Sequence, residues 1–164
     1  MFDTIAGLPL HPLVVHATEV IVPVTAIVVT LAALWPLFRQ RAGYLPLALA
    51  LASLALVPLS TQSGEALEKR VGKSPLIQTH SNLAEGLLPW VFGLVVVAAV
   101  LLWWNRNERK AATPRAPRWV ALGLAAAAVF ATTGTTVQAI RIGHSGATAV
   151  WSEDMSKTPA VAKG

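Results

Sequence analysis

Residues 83–104 read LAEGLLPWVFGLVVVAAVLLWW. Past Glu85 the run carries no charged side chain, and it is long enough for a spanning helix, which needs about 20 apolar residues. A lone span in lipid must satisfy its backbone internally, so it is helical. The same pattern recurs outward in both directions. Residues 13–38 form a first apolar run with Glu19 near its start, and residues 44–63 form a shorter second run. The second is expected to continue as helix through Ser63, Glu65 and Glu68. The last run, from Trp119 to Ile140, has no charge at all. The expected fold is all-α: an integral membrane, up-down four-helix bundle. It forms one domain over residues 1–164, with spans at about 13–38, 44–63, 82–104 and 118–141.

Composition agrees. The chain of 164 residues is 54% hydrophobic and 13% charged, against roughly 25% charged in a soluble domain. Its net charge of +5 is spread in short basic runs between apolar segments, which argues against a nucleic-acid partner and for the lipid bilayer. With no cysteine, disulfides, thiolate metal sites, iron–sulfur ligation and covalent haem attachment are excluded on this chain. The N-terminus lacks the basic start of a secretory signal, so the first run reads as a retained helix. Pro23, Pro36, Pro46, Pro58 and Pro89 punctuate the spans, which membrane helices tolerate. The small residues from Thr132 to Thr136 suit close helix packing. No internal repeat or low-complexity tract is evident, and the polar tail after Trp151 is expected to fray.

The loops set an expected orientation. Arg39 and Arg41 join the first two spans; Arg106, Arg109, Lys110, Arg115 and Arg118 join the last two, with one acid, Glu108. Cytoplasmic loops favour Lys and Arg. Both termini are therefore expected outside, with Trp35, Tyr44, Trp103, Trp104 and Trp119 as an aromatic belt at the inner interface. The expected location is a bacterial cytoplasmic membrane.

This topology carries all four histidines to the outer face: His11 and His16 where the first span begins, His80 before the third, His144 after the fourth. The plain reading of an interfacial histidine is a boundary residue, and His11, followed by Pro12 at a favoured first helical position, suits it. The functional reading is a ligand. His11 and His16 lie about 140° apart around a helix, so a ligand pair must cross between helices. His16 and Glu19 lie about 60° apart, which would let the carboxylate orient the imidazole. Neutral imidazoles suit haem iron, zinc, copper and non-haem iron. One or two b-type haems between histidines of the bundle, with Arg141, Lys69, Arg70 and Lys73 near the propionates, form one reading. Zinc or another divalent ion on histidines with Glu19 or Glu65 is the other. No hydrolase, phosphate-loop or dinucleotide signature occurs.

Residues Gly7 to His16, with His11-Pro12 and His16, resemble the His-Pro-x-x-x-His opening of a bacterial four-helix membrane family called domain of unknown function 2231. Ser63-Gly64-Glu65-Ala66, His80, and Gly143-His144-Ser145-Gly146-Ala147 with Val150-Trp151 resemble its later motifs in order. Two departures stand out. Ala17-Thr18-Glu19 replaces a common Phe-Pro, and Ser152-Glu153 replaces a further His-Gly, so one ligand is missing or replaced by Glu19. The resemblance implies electron transfer, because relatives join this domain to Rieske-type or cytochrome-type domains, and it favours haem over zinc. The leading expectation is a b-type cytochrome-like protein with His16 and His80 as ligands, and with His11 and His144 as a second pair or the source of one replacement ligand. A redox protein or a larger membrane complex is the expected partner. The alternatives are a subunit holding a divalent ion or no cofactor, and a metal-dependent enzyme using Glu19 as base.

Overall fold

The computed structural model describes residues 4–5, 7–110 and 118–156. The molecule is almost entirely helical. A short antiparallel pair, β1 (Thr4–Ile5) and β2 (Leu8–Pro9), turns at Gly7 and leads into α1 (Leu10–Leu34). Pro36 ends α1. Its ring disfavours helical backbone in the residue before it, and Trp35 is accordingly extended at φ −122°, ψ 99°. The first span therefore stops short of Phe38, and α2 (Pro36–Ala42) turns away as a separate short helix. Gly43, at φ 56°, closes it.

The return helix α3 (Leu45–Val71) carries Pro46 in its first turn and runs well past the apolar stretch. The Ser74 hydroxyl then accepts the Ile77 N–H at 3.2 Å and starts α4 (Pro75–Glu85), an N-cap with proline at the first helical position. After a break at Gly86, α5 (Leu88–Lys110) descends. The final helix, α6 (Arg118–Ser156), continues through Trp151 rather than fraying there. Residues 111–117, with Arg115, and residues 157–164 lie outside the described residues. Four helices are long and apolar enough to cross a membrane: Leu10–Leu34, Leu45–Val71, Pro75–Arg109 and Arg118–Ser152.

The outer walls are apolar, as lipid contact requires: Leu122 is 70% exposed and Phe130 69%. The interior is built from small and β-branched residues. Ala26, Val29 and Ala32 of α1, Ala50 of α3, Leu94, Ala98 and Leu101 of α5 and Ala128 of α6 pack as one cluster. Small side chains let membrane helices approach closely enough for dispersion to hold them. A Cβ at Gly134 would overlap the Trp90 ring, which lies against α6 there.

The burial pattern contains a repeat that side-chain identity conceals. Buried Thr18, Val22, Thr25, Val29 and Ala32 of the first half are matched, at one constant interval, by Leu87, Val91, Leu94, Ala98 and Leu101. On the return helices, buried Pro46 and Ser53 are matched at a second constant interval by Ala128 and Thr135. The hairpin α1–α3 thus recurs as α4/α5–α6. Both hairpins begin at the same end of the bundle, so the halves are related about an axis along the helices, as in parallel membrane repeats. α1 and α5 sit in equivalent places, with α3 and α6 each packed against both.

The arginine-rich end is closed by polar contacts. Arg39 is buried and donates to Glu108 at 3.3 Å, and its guanidinium lies 5.0 Å from the centre of the Trp104 ring. Trp104 is therefore a buried platform and not part of the aromatic belt. Trp35, Tyr44, Trp103 and Trp119 remain exposed. The Tyr44 hydroxyl accepts from Arg106, which also stacks on its ring.

Candidate functional site: two histidine clasps

At the opposite end the two hairpins are fastened in the same way. His11, in the first turn of α1, places Nδ1 3.1 Å from the Ser60 carbonyl and 3.2 Å from the Ser63 hydroxyl of α3. Ser63 donates its own proton to the Ser60 carbonyl at 3.0 Å. Its oxygen is therefore left as an acceptor. Both neighbours of Nδ1 are acceptors, so Nδ1 carries the proton, an assignment that follows from the network. The ring lies against Gly64, where a Cβ would come within 3.0 Å of the His11 Cε1. Glycine is what permits the approach.

His80, on α4, repeats each contact against α6. Its Nδ1 is 3.2 Å from the Ile142 carbonyl and 3.0 Å from the Ser145 hydroxyl. Ser145 donates to the Ile142 carbonyl at 2.9 Å, and a Cβ at Gly146 would meet the His80 Cε1 at 3.1 Å. His11 and His80, Ser63 and Ser145, and Gly64 and Gly146 all sit at matching positions of the two halves. In both rings Nε2 has no hydrogen-bond partner among the described residues. Both histidines are half-buried.

The remaining candidates are placed differently. His16 is exposed on the outer wall of α1, with Nδ1 2.5 Å from the Pro12 carbonyl of its own helix. Helical side chains lean toward the N-terminus, so the ring turns back to Pro12 and away from Glu19. Glu19 is exposed, and the expected contact between it and His16 is not made. It is thus His11, not His16, that shares the setting of His80. His144 and Arg141 are exposed on α6, where they line a cleft against α4. Lys69, Arg70 and Lys73 lie on the exposed rim at the same end. Among the described residues no three His, Asp or Glu side chains gather as a ready metal cage.

Sequence reasoning passed over Ser60 and took Ser63-Gly64 and Ser145-Gly146 only as family motifs, without a contact to either histidine. A usable signal existed: Ser63-Gly64 and Ser145-Gly146 are the same dipeptide at the same place in each hairpin.

The family described as "Predicted membrane protein (DUF2231)" matches residues 7–159. The chain belongs to this family. The match begins at Gly7 and takes in both clasps, all four histidines and all four spans of this DUF2231 protein. No curated protein and no solved structure matches the chain.

Proposed function

We propose that this DUF2231 protein is a membrane electron-transfer protein or subunit in which His11 and His80 hold a b-type haem at the end of the bundle that faces outward. The single observation behind this reading is the repeated clasp. A ligating histidine usually donates its second ring N–H to a carbonyl or carboxylate, which fixes the tautomer and strengthens the other nitrogen as a ligand. Both clasps meet that requirement, and both leave an unprotonated Nε2. The donor chemistry therefore suits haem iron, whose contribution when bound would be to carry one electron. Ser63 and Ser145 would orient the ligands, and Gly64 and Gly146 would give the rings room.

The same pair also suits zinc or another divalent ion, and a second reading needs no cofactor. Each clasp is already a complete interhelical hydrogen bond, so it can serve as a staple in a structural subunit. In either reading we place the chain in a bacterial cytoplasmic membrane with both termini outside, on the arginine-rich loops. A redox protein or larger membrane complex is the proposed partner.

The test is an absorption spectrum of purified protein expressed with ample haem, with metal analysis in parallel. A Soret band that sharpens on reduction, lost in His11→Ala and in His80→Ala but kept in His16→Ala, is the expected result. Colourless protein holding a stoichiometric divalent ion would favour the metal reading. Colourless, metal-free protein would leave the clasps as staples.

A further inference from the structure

The two halves agree at the clasps and disagree beside them. Between α4 and α6 lies a cleft of about 330 Å³ lined by Leu76, Thr79, Leu83, Arg141, His144 and Thr148. That volume falls at the lower end of small-ligand sites, roughly 300–1,000 Å³. Arg141 and His144 are its cationic or cation-forming groups, and among the described residues no acidic one lines it. Neither side chain has a partner among the described residues. The hydroxyl protons of Thr79 and Thr148 are spent on the Pro75 and His144 carbonyls of their own helices, at 2.9 Å each. The donors facing the cleft are therefore the guanidinium and the imidazole.

The first half acts as an internal control. The positions matching Arg141 and His144 are Leu59 and Gln62. Both are exposed and neither is charged. The fold thus does not need a cation at either place.

Depth along the helix points to the occupant. Trp119 marks one interface, and Arg141 lies about 33 Å further along α6 at 1.5 Å per residue. The hydrocarbon layer is about 30 Å thick. Arg141 and His144 therefore sit at the headgroup level of the far leaflet, while Leu83, level with Gln138 and so deeper, supplies an apolar floor on the side of the acyl chains.

We propose that this cleft binds the phosphodiester headgroup of an anionic membrane lipid, with Arg141 and His144 as donors to the phosphate oxygens. Guanidinium recognises such oxygens in a planar, two-pronged manner. Among the described residues no carboxylate lines the cleft to pair with the ammonium of a zwitterionic headgroup, so an anionic one is favoured. Ser145 lines the same cleft and accepts from His80, so the bound lipid would adjoin the second clasp but not the first.

Native mass spectrometry of the full chain in detergent tests this, with phosphatidylglycerol, phosphatidylcholine of matched chains, and inorganic phosphate as probes. The variants carry the residues of the other half, Arg141→Leu and His144→Gln, so they suit the fold; helical circular dichroism checks them. Wild type should retain one phosphatidylglycerol per chain in preference to phosphatidylcholine, and the double variant should bind it at least about tenfold more weakly, as loss of a charged hydrogen bond implies. The double variant should lose that preference, and Arg141→Lys should keep part of it. Equal retention of phosphatidylglycerol by wild type and the double variant would overturn the proposal. So would equal binding of phosphatidylcholine, or displacement by equimolar inorganic phosphate, which would mark a free-anion site.

Discussion

The two hairpins have one shape and two interiors. In the first, hydroxyls join the helices: Thr18 meets Ser60 at 2.7 Å and Thr25 meets Ser53 at 2.8 Å. In the second, the matching positions are Leu87 with Ile142, and Leu94 with Thr135. Leu87 and Ile142 belong to one apolar cluster, and among the described residues the Thr135 hydroxyl bonds only the Ala131 carbonyl of its own helix. Elsewhere the exchange is one of volume, with Trp90 against Gly134 where the first half has Ile21 and Ala52. Lipid tails are as apolar as leucine, so helices associate by close packing and by scattered hydrogen bonds. Either device satisfies the same backbone. Among the described residues the His–Ser–Gly clasp is where the halves keep the same polar side chains in the same hydrogen bonds, and that is where a requirement beyond packing is indicated.

The largest expected effects test that identity. Under the haem reading, His11→Ala and His80→Ala should each abolish the bound chromophore, read as the ratio of Soret to protein absorbance. A loss from one variant alone would show that the twin clasps are not functionally equivalent.

Next come the glycines. Gly134→Ala must displace the Trp90 indole, and overpacking of this kind costs about 1–3 kcal/mol. Gly64→Ala and Gly146→Ala push on imidazole rings that have some room to give, so they should cost less than Gly134→Ala and about as much as each other. Thermal unfolding in detergent ranks the three. A marked inequality between Gly64→Ala and Gly146→Ala would break the symmetry of the clasps.

The hydroxyl pairs should matter modestly. Interhelical hydrogen bonds in membrane proteins average about 0.6 kcal/mol. A double-mutant cycle on Thr25→Val and Ser53→Ala should give a coupling of that order, whereas Thr135→Val should be close to neutral. A Thr135 effect as large as the Thr25–Ser53 coupling would refute the distinction drawn between the two interiors.

The smallest expected effect is at Glu19. Its matching residue in the second half is Leu88, exposed like it. Because His16 is turned toward Pro12, Glu19→Gln should leave cofactor content and any reduction potential unchanged. A redox titration showing a raised potential would restore Glu19 as a partner of a ligating histidine.

How far these features could be read in advance depends on their range. The family motifs at Gly7–His16, Ser63-Gly64 and Gly143–Ala147 were visible as local strings. The repeat was not, because it lives in which positions are buried, and threonine can stand opposite leucine without changing that. The preference for His11 over His16 was not visible either. It turns on a contact between the first turn of α1 and the carbonyl of Ser60, far along the chain.

The sequence by itself determined the spanning helices, the gathering of histidines at one end and most arginines at the other, and membership of the family. These follow from segment length, hydropathy and local backbone sterics, all short-range properties. Only the tertiary structure decided that the bundle is two matched hairpins, that His11 and His80 are each locked in one tautomer by a serine and a carbonyl, and that Arg141 and His144 share a cleft. Those outcomes depend on which faces of distant helices meet, and in lipid that choice rests on shape and a few polar contacts, with no hydrophobic gradient written along the chain to announce it.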